Sequence, residues 1–363
     1  MSGALLADLS LEWLGDLARD VFLLFAVVPA AAGAAATWIA VRLARRYALL
    51  DQPNVRSSHA VPTPRTGGVG IVVAMAVVMA MCLATTQGGT VAAVLAAVLV
   101  AAAVGLWDDL RTLPPRGKMA GLLLAAAVAA TVGRVEVVHG MPWIGDLDLG
   151  WAAWPLTLFW LACYANAFNF MDGINGIAGG TAFVSAAVYV YAGYAPLGAG
   201  HDADGPLLAV AWATAVAFLG FVPWNFPRAR TFMGDVGSLP LGLALACCAV
   251  RANAVGAMSF PASVLLLGPF LFDVTFTLVR RAFRGERLGL AHREHLYQRL
   301  ARALGSHAPA TLLYGGLSVV AGVLGLSYDG MGHAARLLSL GGAVAAMLAF
   351  AAIVLRVEAR VRS

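Results

Sequence analysis

Apolar stretches of 16 to 23 residues alternate with short polar segments along the chain, and this pattern predicts eleven membrane-spanning helices. They fall at 21–42, 67–86, 89–107, 118–133, 151–171, 176–195, 207–224, 238–253, 258–280, 310–328 and 335–356. Ahead of them, Asp8, Glu12, Asp16 and Asp20 recur every fourth residue, with Leu5, Leu9, Trp13, Leu14 and Leu17 between them. No positive segment precedes an apolar run there, so 1–20 reads as an amphipathic interfacial helix rather than a signal peptide. Between Val135 and Gly150 the apolar positions alternate around Gly145-Asp146, which predicts a small hairpin. The rest, 21–363, reads as one all-α, polytopic transmembrane domain. No internal repeat recurs, so the inverted-repeat signature of many transporters is absent.

Composition strengthens this picture. Of 363 residues 61% are hydrophobic and only 12% charged, and the mean hydropathy is +0.81, values of an integral membrane protein rather than a large soluble core. The formal net charge of +5 could suggest nucleic acid, but its distribution gives a membrane topology instead. With loops numbered alternately from an outer N-terminus, one side carries 20 of the 24 basic residues, and the other only Arg19, Arg134, Arg251 and Arg336. The basic side is therefore expected in the cytoplasm of a bacterial inner-membrane protein. Cys82, Cys163, Cys247 and Cys248 lie in apolar runs with no ligand spacing, which marks them as packing residues.

The chemically rich segments all fall on the basic side. In Asn166–Gly180, NAFNFMDGINGIAGG, polar residues Asn166, Asn169, Asp172 and Asn175 stand three apart after an apolar run. An ionisable group at a membrane edge is a functional candidate, because burying it without a partner costs a few kcal/mol or more. Asp108-Asp109, Asp172 and Asp235 form three acidic centres at the inner ends of different predicted helices. Arg65, Lys118, Arg228, Arg230, His292, Arg293 and His295 surround them in the same set of loops, and Lys118 is the only lysine in the chain. Taken singly, each has a structural reading as a cap, a topology anchor or a solvated helix face. Jointly they suit a hard divalent cation with phosphate oxygens, hence metal-assisted phosphoryl transfer at a membrane surface. Asp273, inside the apolar run GPFLFDVTFTLVRR, is either a buried partner of a basic residue or part of the site.

The motifs PTPRTGG, the Asp pair with a downstream lysine, NAFNFMDGINGIAGG, FMGDVGS and HREHLYQRL together resemble the polyprenyl-phosphate N-acetylhexosamine-1-phosphate transferase superfamily, glycosyltransferase family 4, to which MraY and WecA belong. The resemblance runs from Arg56 to about Leu300. It implies transfer of a sugar 1-phosphate from a UDP-N-acetylhexosamine to undecaprenyl phosphate, with release of UMP and dependence on Mg²⁺ or Mn²⁺. By resemblance, Asp235 and Asn169 hold the metal, and Asp108, Asp109, Asp172, Lys118, His292 and His295 serve catalysis. Asn175, Phe232, Asn225, Arg65, Arg228 and Arg293 bind substrate, with Phe232 stacking on uracil and Asn175 bonding to it. The resemblance leaves open whether Asp108 or Asp109 handles the lipid-phosphate proton, and it implies a homodimer. HREHLYQRL is closer to the branch that initiates O-antigen synthesis than to the His-rich loop of the muramoyl-pentapeptide branch. The competing readings are that muramoyl-pentapeptide transferase and a non-enzymatic lipid-phosphate transporter. A transporter would need charged residues on both faces or mid-membrane, with broken helices, whereas here the polar groups collect at one side.

Overall fold

Backbone N–H and C=O groups find no water inside a bilayer, so an apolar run satisfies its own peptide groups by coiling. The computed structural model describes residues 20–52, 61–84, 87–194, 202–289 and 292–362, and each predicted run is helical over most of its described length. The helices are α1 (Asp20–Arg46, with a π-helical turn at Leu23–Val27), α2 (Val69–Cys82), α3 (Gly88–Arg111), α4 (Pro115–Ala130), α5 (Ala153–Phe170) and α6 (Ile177–Gly193). They continue with α7 (Gly205–Asn225), α8 (Asp235–Ala254), α9 (Phe260–Leu266), α10 (Gly268–Phe283), α11 (Leu296–Ala303), α12 (His307–Tyr328) and α13 (His333–Arg362).

Among the described residues, α1, α3, α7, α8, α12 and α13 are each long and apolar enough to cross a membrane. The predicted run 258–280 is not one straight span: α9 and α10 meet at 76°, and together they count as a seventh. Pro269 at the second position of α10 lacks an N–H to continue the ladder, and Gly268 before it leaves room for the bend. Length and composition thus support six or seven crossings, while α2 and α6 are apolar but shorter. The predicted interfacial helix, apart from Asp20, and residues 53–60, just ahead of the PTPRTGG motif, lie outside the described residues.

The bundle is built around α8. Its apolar stretch is 89% buried, against 17% for α13 and 22% for α1, so α8 is the axis and the terminal helices form the lipid-facing rim. Helices α2, α3, α5, α6 and α7 pack on it. Small residues let them approach closely, as expected where lipid offers no hydrophobic contrast and packing itself holds helices together. At Gly105 of α3 the approach is extreme, since a Cβ there would fall on the main-chain carbonyl of Asp235. This contact sets the height of the α8 N-terminus against α3. At the other end of α8, Arg251 holds both carboxylate oxygens of Asp204 at 3.0 and 2.7 Å and the Gln87 side chain at 3.0 Å.

The predicted hairpin is present: β3 (Val137–Met141) pairs antiparallel with β4 (Gly145–Asp148). A second pair, β1 (Leu50–Asp51) with β2 (Thr63–Pro64), was not expected, because two-residue strands leave no alternation to read. The stretch between the predicted runs 258–280 and 310–328, where no spanning helix is expected, contains α11, whose Leu296, Tyr297, Leu300 and Ala301 are buried.

Candidate active site

Four helix ends meet at the basic end of the bundle. Asp108 and Asp109 occupy the last turn of α3, Lys118 the first turn of α4, Asn169 the last turn of α5, and Asp235 opens α8. Carboxylates at a helix C-terminus and an ammonium at an N-terminus both oppose the helix dipole, so local helix energetics do not explain them. Their contacts do. The Lys118 ammonium donates to Asp235 Oδ2 and, at 3.0 Å, to Asn169 Oδ1, and lies 3.7 Å from Asp108 Oδ2. The Asn169 amide donates at 2.8 Å to Asp235 Oδ1 and at 2.8 Å to Ser238 Oγ. Three oxygens from three helices therefore converge on one cationic group.

The two adjacent aspartates do different things. Asp109 is fully buried and accepts the N–H groups of Asp235 (3.1 Å) and Val236 (3.0 Å), with the Arg65 guanidinium 3.4 Å away. It caps α8 from a neighbouring helix, satisfying two of the donors that a helix start leaves open. Asp108 keeps some exposure, takes the Leu113 N–H at 2.6 Å on one oxygen and turns the other to Lys118. Gly234 completes the corner: its φ is +67°, and a Cβ there would meet the Arg65 carbonyl and the Asp109 carboxylate.

The segments 63–68 and 231–233 run side by side and close one wall. Phe232 N–H bonds to Pro64 C=O at 2.8 Å, and Gly67 and Gly68 N–H bond to Phe232 and Met233 C=O at 3.1 and 2.9 Å. PTPRTGG and FMGD, far apart in sequence, are thus one structural unit that brings Arg65 to the acidic cluster. Asn225, expected to touch substrate, is buried with both polar atoms engaged, Oδ1 by Gly176 N–H at 2.7 Å and Nδ2 by Thr231 C=O at 3.1 Å. It ties the 171–176 turn to the 226–231 loop rather than facing a cleft. Asn175 donates from Nδ2 to Pro227 C=O at 3.1 Å, while Thr311 donates to its carbonyl at 2.7 Å. Phe232 is half-buried, and Arg228 and Arg230 are exposed on the 226–231 loop, with no described hydrogen bond to the acidic cluster.

Asp172 sits on the turn after α5. Burial, and then the neighbouring Asp235 and Asp109 carboxylates, hold its carboxyl well above the usual carboxylate range. The next residue, Gly173, lies against Tyr297 of α11, whose hydroxyl donates to Phe170 C=O at 2.9 Å. This contact places His295 beside the turn, its ring 6.2 Å from that of Phe170 and 4.9 Å from that of His292. His292 is pushed down to about 4 by burial, then by His295 and Arg281. His295 is 3% exposed, with Nδ1 at 3.1 Å from Asp273.

Asp273, left open between two readings, is a buried hub. Its Oδ1 also accepts the Leu296 N–H at 2.9 Å and the Thr277 hydroxyl at 3.3 Å. Its Oδ2 accepts the Tyr297 N–H at 3.0 Å and the Tyr314 hydroxyl at 2.5 Å. Arg293 goes elsewhere: it lines a cavity with Arg280, Arg284, Glu294, Arg299 and Arg302, where α11 meets α13. Sequence reasoning missed Ser238 and Gly105. Ser238 follows Asp235 by three residues, one helical turn, and that spacing was the available signal.

Among the described residues no three His, Cys, Asp or Glu side chains are grouped to hold a metal. A protein-only cage is therefore absent from that region, and the donor set at Lys118, one carboxylate with an amide oxygen and a second carboxylate beside it, suits an ion that shares its coordination with phosphate.

The chain matches the model of Glycosyl transferase family 4 over residues 91–253. It is 29% identical over 283 residues to the probable undecaprenyl-phosphate N-acetylglucosaminyl 1-phosphate transferase of Bacillus subtilis (strain 168), covering 76% of each chain. It is 32% identical to the decaprenyl-phosphate N-acetylglucosaminephosphotransferase of Mycolicibacterium smegmatis, covering 76% of this chain and 74% of that one. A shorter match, 41% over 133 residues and 36% of each chain, relates it to a phospho-N-acetylmuramoyl-pentapeptide-transferase of Synechococcus sp. (strain JA-3-3Ab).

Proposed function

Because the chain belongs to glycosyl transferase family 4, we propose that it transfers an N-acetylhexosamine 1-phosphate from a UDP-sugar to undecaprenyl phosphate, releasing UMP. The convergence of Asp235, Asn169 and Asp108 on Lys118 at one end of a membrane bundle carries the reading. It joins cationic and oxygen-donor groups where a lipid phosphate and a soluble diphosphate can meet. The surplus of arginine at that end supports a cytoplasmic-facing site in a bacterial inner membrane.

Asp235 and Asn169 would hold Mg²⁺ or Mn²⁺, with Asp108 next to it. When bound, the ion neutralises charge on the diphosphate and on the departing UMP. In the transfer, an oxygen of the lipid phosphate bonds to the β-phosphorus as the bond to the α-phosphate oxygen breaks. Lys118, which lies between Asp235, Asn169 and Asp108, would pair with phosphate oxygens of the substrates. Asp108 orients the acceptor phosphate, which near neutral pH is already mostly dianionic and needs no strong base. Asp109 fixes the α8 N-terminus so that Asp235 is held in place before substrate arrives, the preorganisation on which electrostatic catalysis rests. Phe232 and Asn175 are the residues proposed to take the uracil. The names of the relatives favour UDP-N-acetylglucosamine as donor, and two histidines in place of a His-rich loop favour a product that primes O-antigen or another surface polysaccharide.

The test is UMP release by detergent-purified protein with undecaprenyl phosphate and Mg²⁺ across a panel of UDP-N-acetylhexosamines, including UDP-N-acetylmuramoyl-pentapeptide. Lipid- and metal-dependent UMP from one donor, abolished in Asp235→Ala, is expected. Folded protein that releases no UMP from any donor would overturn the reading.

A further inference from the structure

Beyond the reaction centre, the basic end of the bundle holds a second charged feature. Where α10, α11 and α13 meet, Arg280, Arg284, Arg293, Glu294, Arg299 and Arg302 line a cavity of about 460 Å³. Within α11, Tyr297 faces α5, whereas Arg299, two residues on and about 200° around the helix, faces Glu358 of α13. The cavity therefore opens on the side of α11 away from Asp172 and Lys118.

An ion-pair network would balance its charges if structure were its only purpose. Glu294 pairs with Arg281, Arg284 and Arg299; Glu286 with Arg281 and Arg284; Glu358 with Arg299 and Arg302. Among the described residues, the guanidinium groups of Arg281, Arg284, Arg299 and Arg302 thus share three carboxylates, with Arg280 beside them. Arg280 has no ion pair among the described residues, and the charges acting on it are those of Arg299 and Arg284, with Glu294 and Glu358 opposing them. Arg299 is buried while Arg284 and Arg302 keep 39% and 40% side-chain exposure, and holding like charges this close is unfavourable in a way that an anion would relieve. Planar guanidinium forks match phosphate oxygens in particular. The surroundings are apolar and outward-facing: Val279 is 48%, Phe283 89% and Leu304 46% exposed. Basic pockets between membrane helices at the cytoplasmic side suit anionic head groups, whose chains would lie along such residues.

We propose that this cavity binds the phosphate of an anionic phospholipid, at a site separate from the acidic cluster. The phospholipid is expected to bridge the ends of α10, α11 and α13 and so to steady the helix that carries His295 and Tyr297.

The test is binding, not turnover, so it stands or falls apart from the transferase reading. Full-length protein in detergent is loaded with phosphatidylglycerol or phosphatidylcholine, and retained lipid is read by native mass spectrometry. Arg280→Gln is the first variant, since it breaks no ion pair, and R280Q/R302Q the second; thermal melting confirms that each is folded. Selective retention of phosphatidylglycerol, weakened about fivefold in the single and about thirtyfold in the double variant, is expected. Displacement of that lipid by inorganic phosphate at equal concentration would assign the site to free phosphate and overturn the lipid occupant. Equal retention of both lipids, or retention unchanged in R280Q, would overturn the site altogether.

Discussion

Asp108 and Asp109 are neighbours with opposite duties, and the sequence could not divide them. Both end α3, but the helix turns the second toward the α8 N-terminus, where it is fully buried, and the first toward Lys118. Asp109→Asn would set an amide NH₂ against one of the two backbone donors that it caps, at a cost of about 1–3 kcal/mol, so its melting temperature should fall along with turnover. Asp108→Asn should keep the wild-type melt and lose about 10²–10³-fold in kcat, comparable to losing one preorganised electrostatic contact. Thermal melts read beside UMP kinetics separate the two; equal destabilisation would remove the distinction drawn between cap and phosphate partner. His292 gives a pH prediction. Its folded value of about 4 lies below the ordinary 6.5, so between these values the unfolded chain binds more protons than the folded one. Its contribution to stability is therefore full above about pH 6.5 and fades as pH falls toward 4, where imidazolium would have to sit beside His295 and Arg281, with Glu294 and Asp273 only partly offsetting them. His292→Gln should flatten the fall in melting temperature across that window.

At the scale of elements, what was legible followed from period and length. Apolar runs gave the helices and alternation gave the hairpin, because both patterns extend over enough residues to be read. The bend between α9 and α10 was signalled by Gly268-Pro269 and was passed over because hydropathy is continuous across it. Helix α11 was illegible for another reason: eight residues make a marginal helix alone, and this one is held by a tertiary cap, Asp273, which lies 23 residues before Leu296. Asp273→Asn should leave donors unpaired at about 1–3 kcal/mol each, raise amide exchange across α11 and raise the KM for donor more than it lowers kcat. Unchanged exchange in α11 would show that Asp273 does not secure it. Gly105 makes the same point for packing between helices. The alanine variant forces α3 and α8 apart where Asp235 begins, so overpacking of about 1–3 kcal/mol should come with weaker binding of the proposed metal, seen as a higher Mg²⁺ concentration for half-maximal turnover.

For the whole molecule, the family, the membrane class and the shared face of the site could be read from the sequence, but not which of the candidate residues reach it. Five motifs scattered between Arg56 and Leu300 predicted one catalytic face, and the bundle does bring Asp108, Lys118, Asn169 and Asp235 within hydrogen-bond or ion-pair reach. It also sends Arg293 to another cavity and buries Asn225, outcomes that depend on which side of a short helix or loop meets a neighbour. Orientation rests on a different kind of evidence. The alternating-loop topology assigns 20 of 24 basic residues to the side of this cluster, while the β3–β4 hairpin, with Trp143 71% exposed, marks the opposite end of the described bundle. If charge sets the topology, a cysteine at Trp143 should react with a membrane-impermeant maleimide in intact cells, and one at exposed Arg230 only after the membrane is opened. The four native cysteines are replaced first, three of them being buried in the bundle. Labelling of the Arg230 position in intact cells would place the acidic cluster on the outer face. UDP-sugars made in the cytoplasm could not then reach it, so the reversed pattern would remove the donor proposed for the reaction as well as the topology.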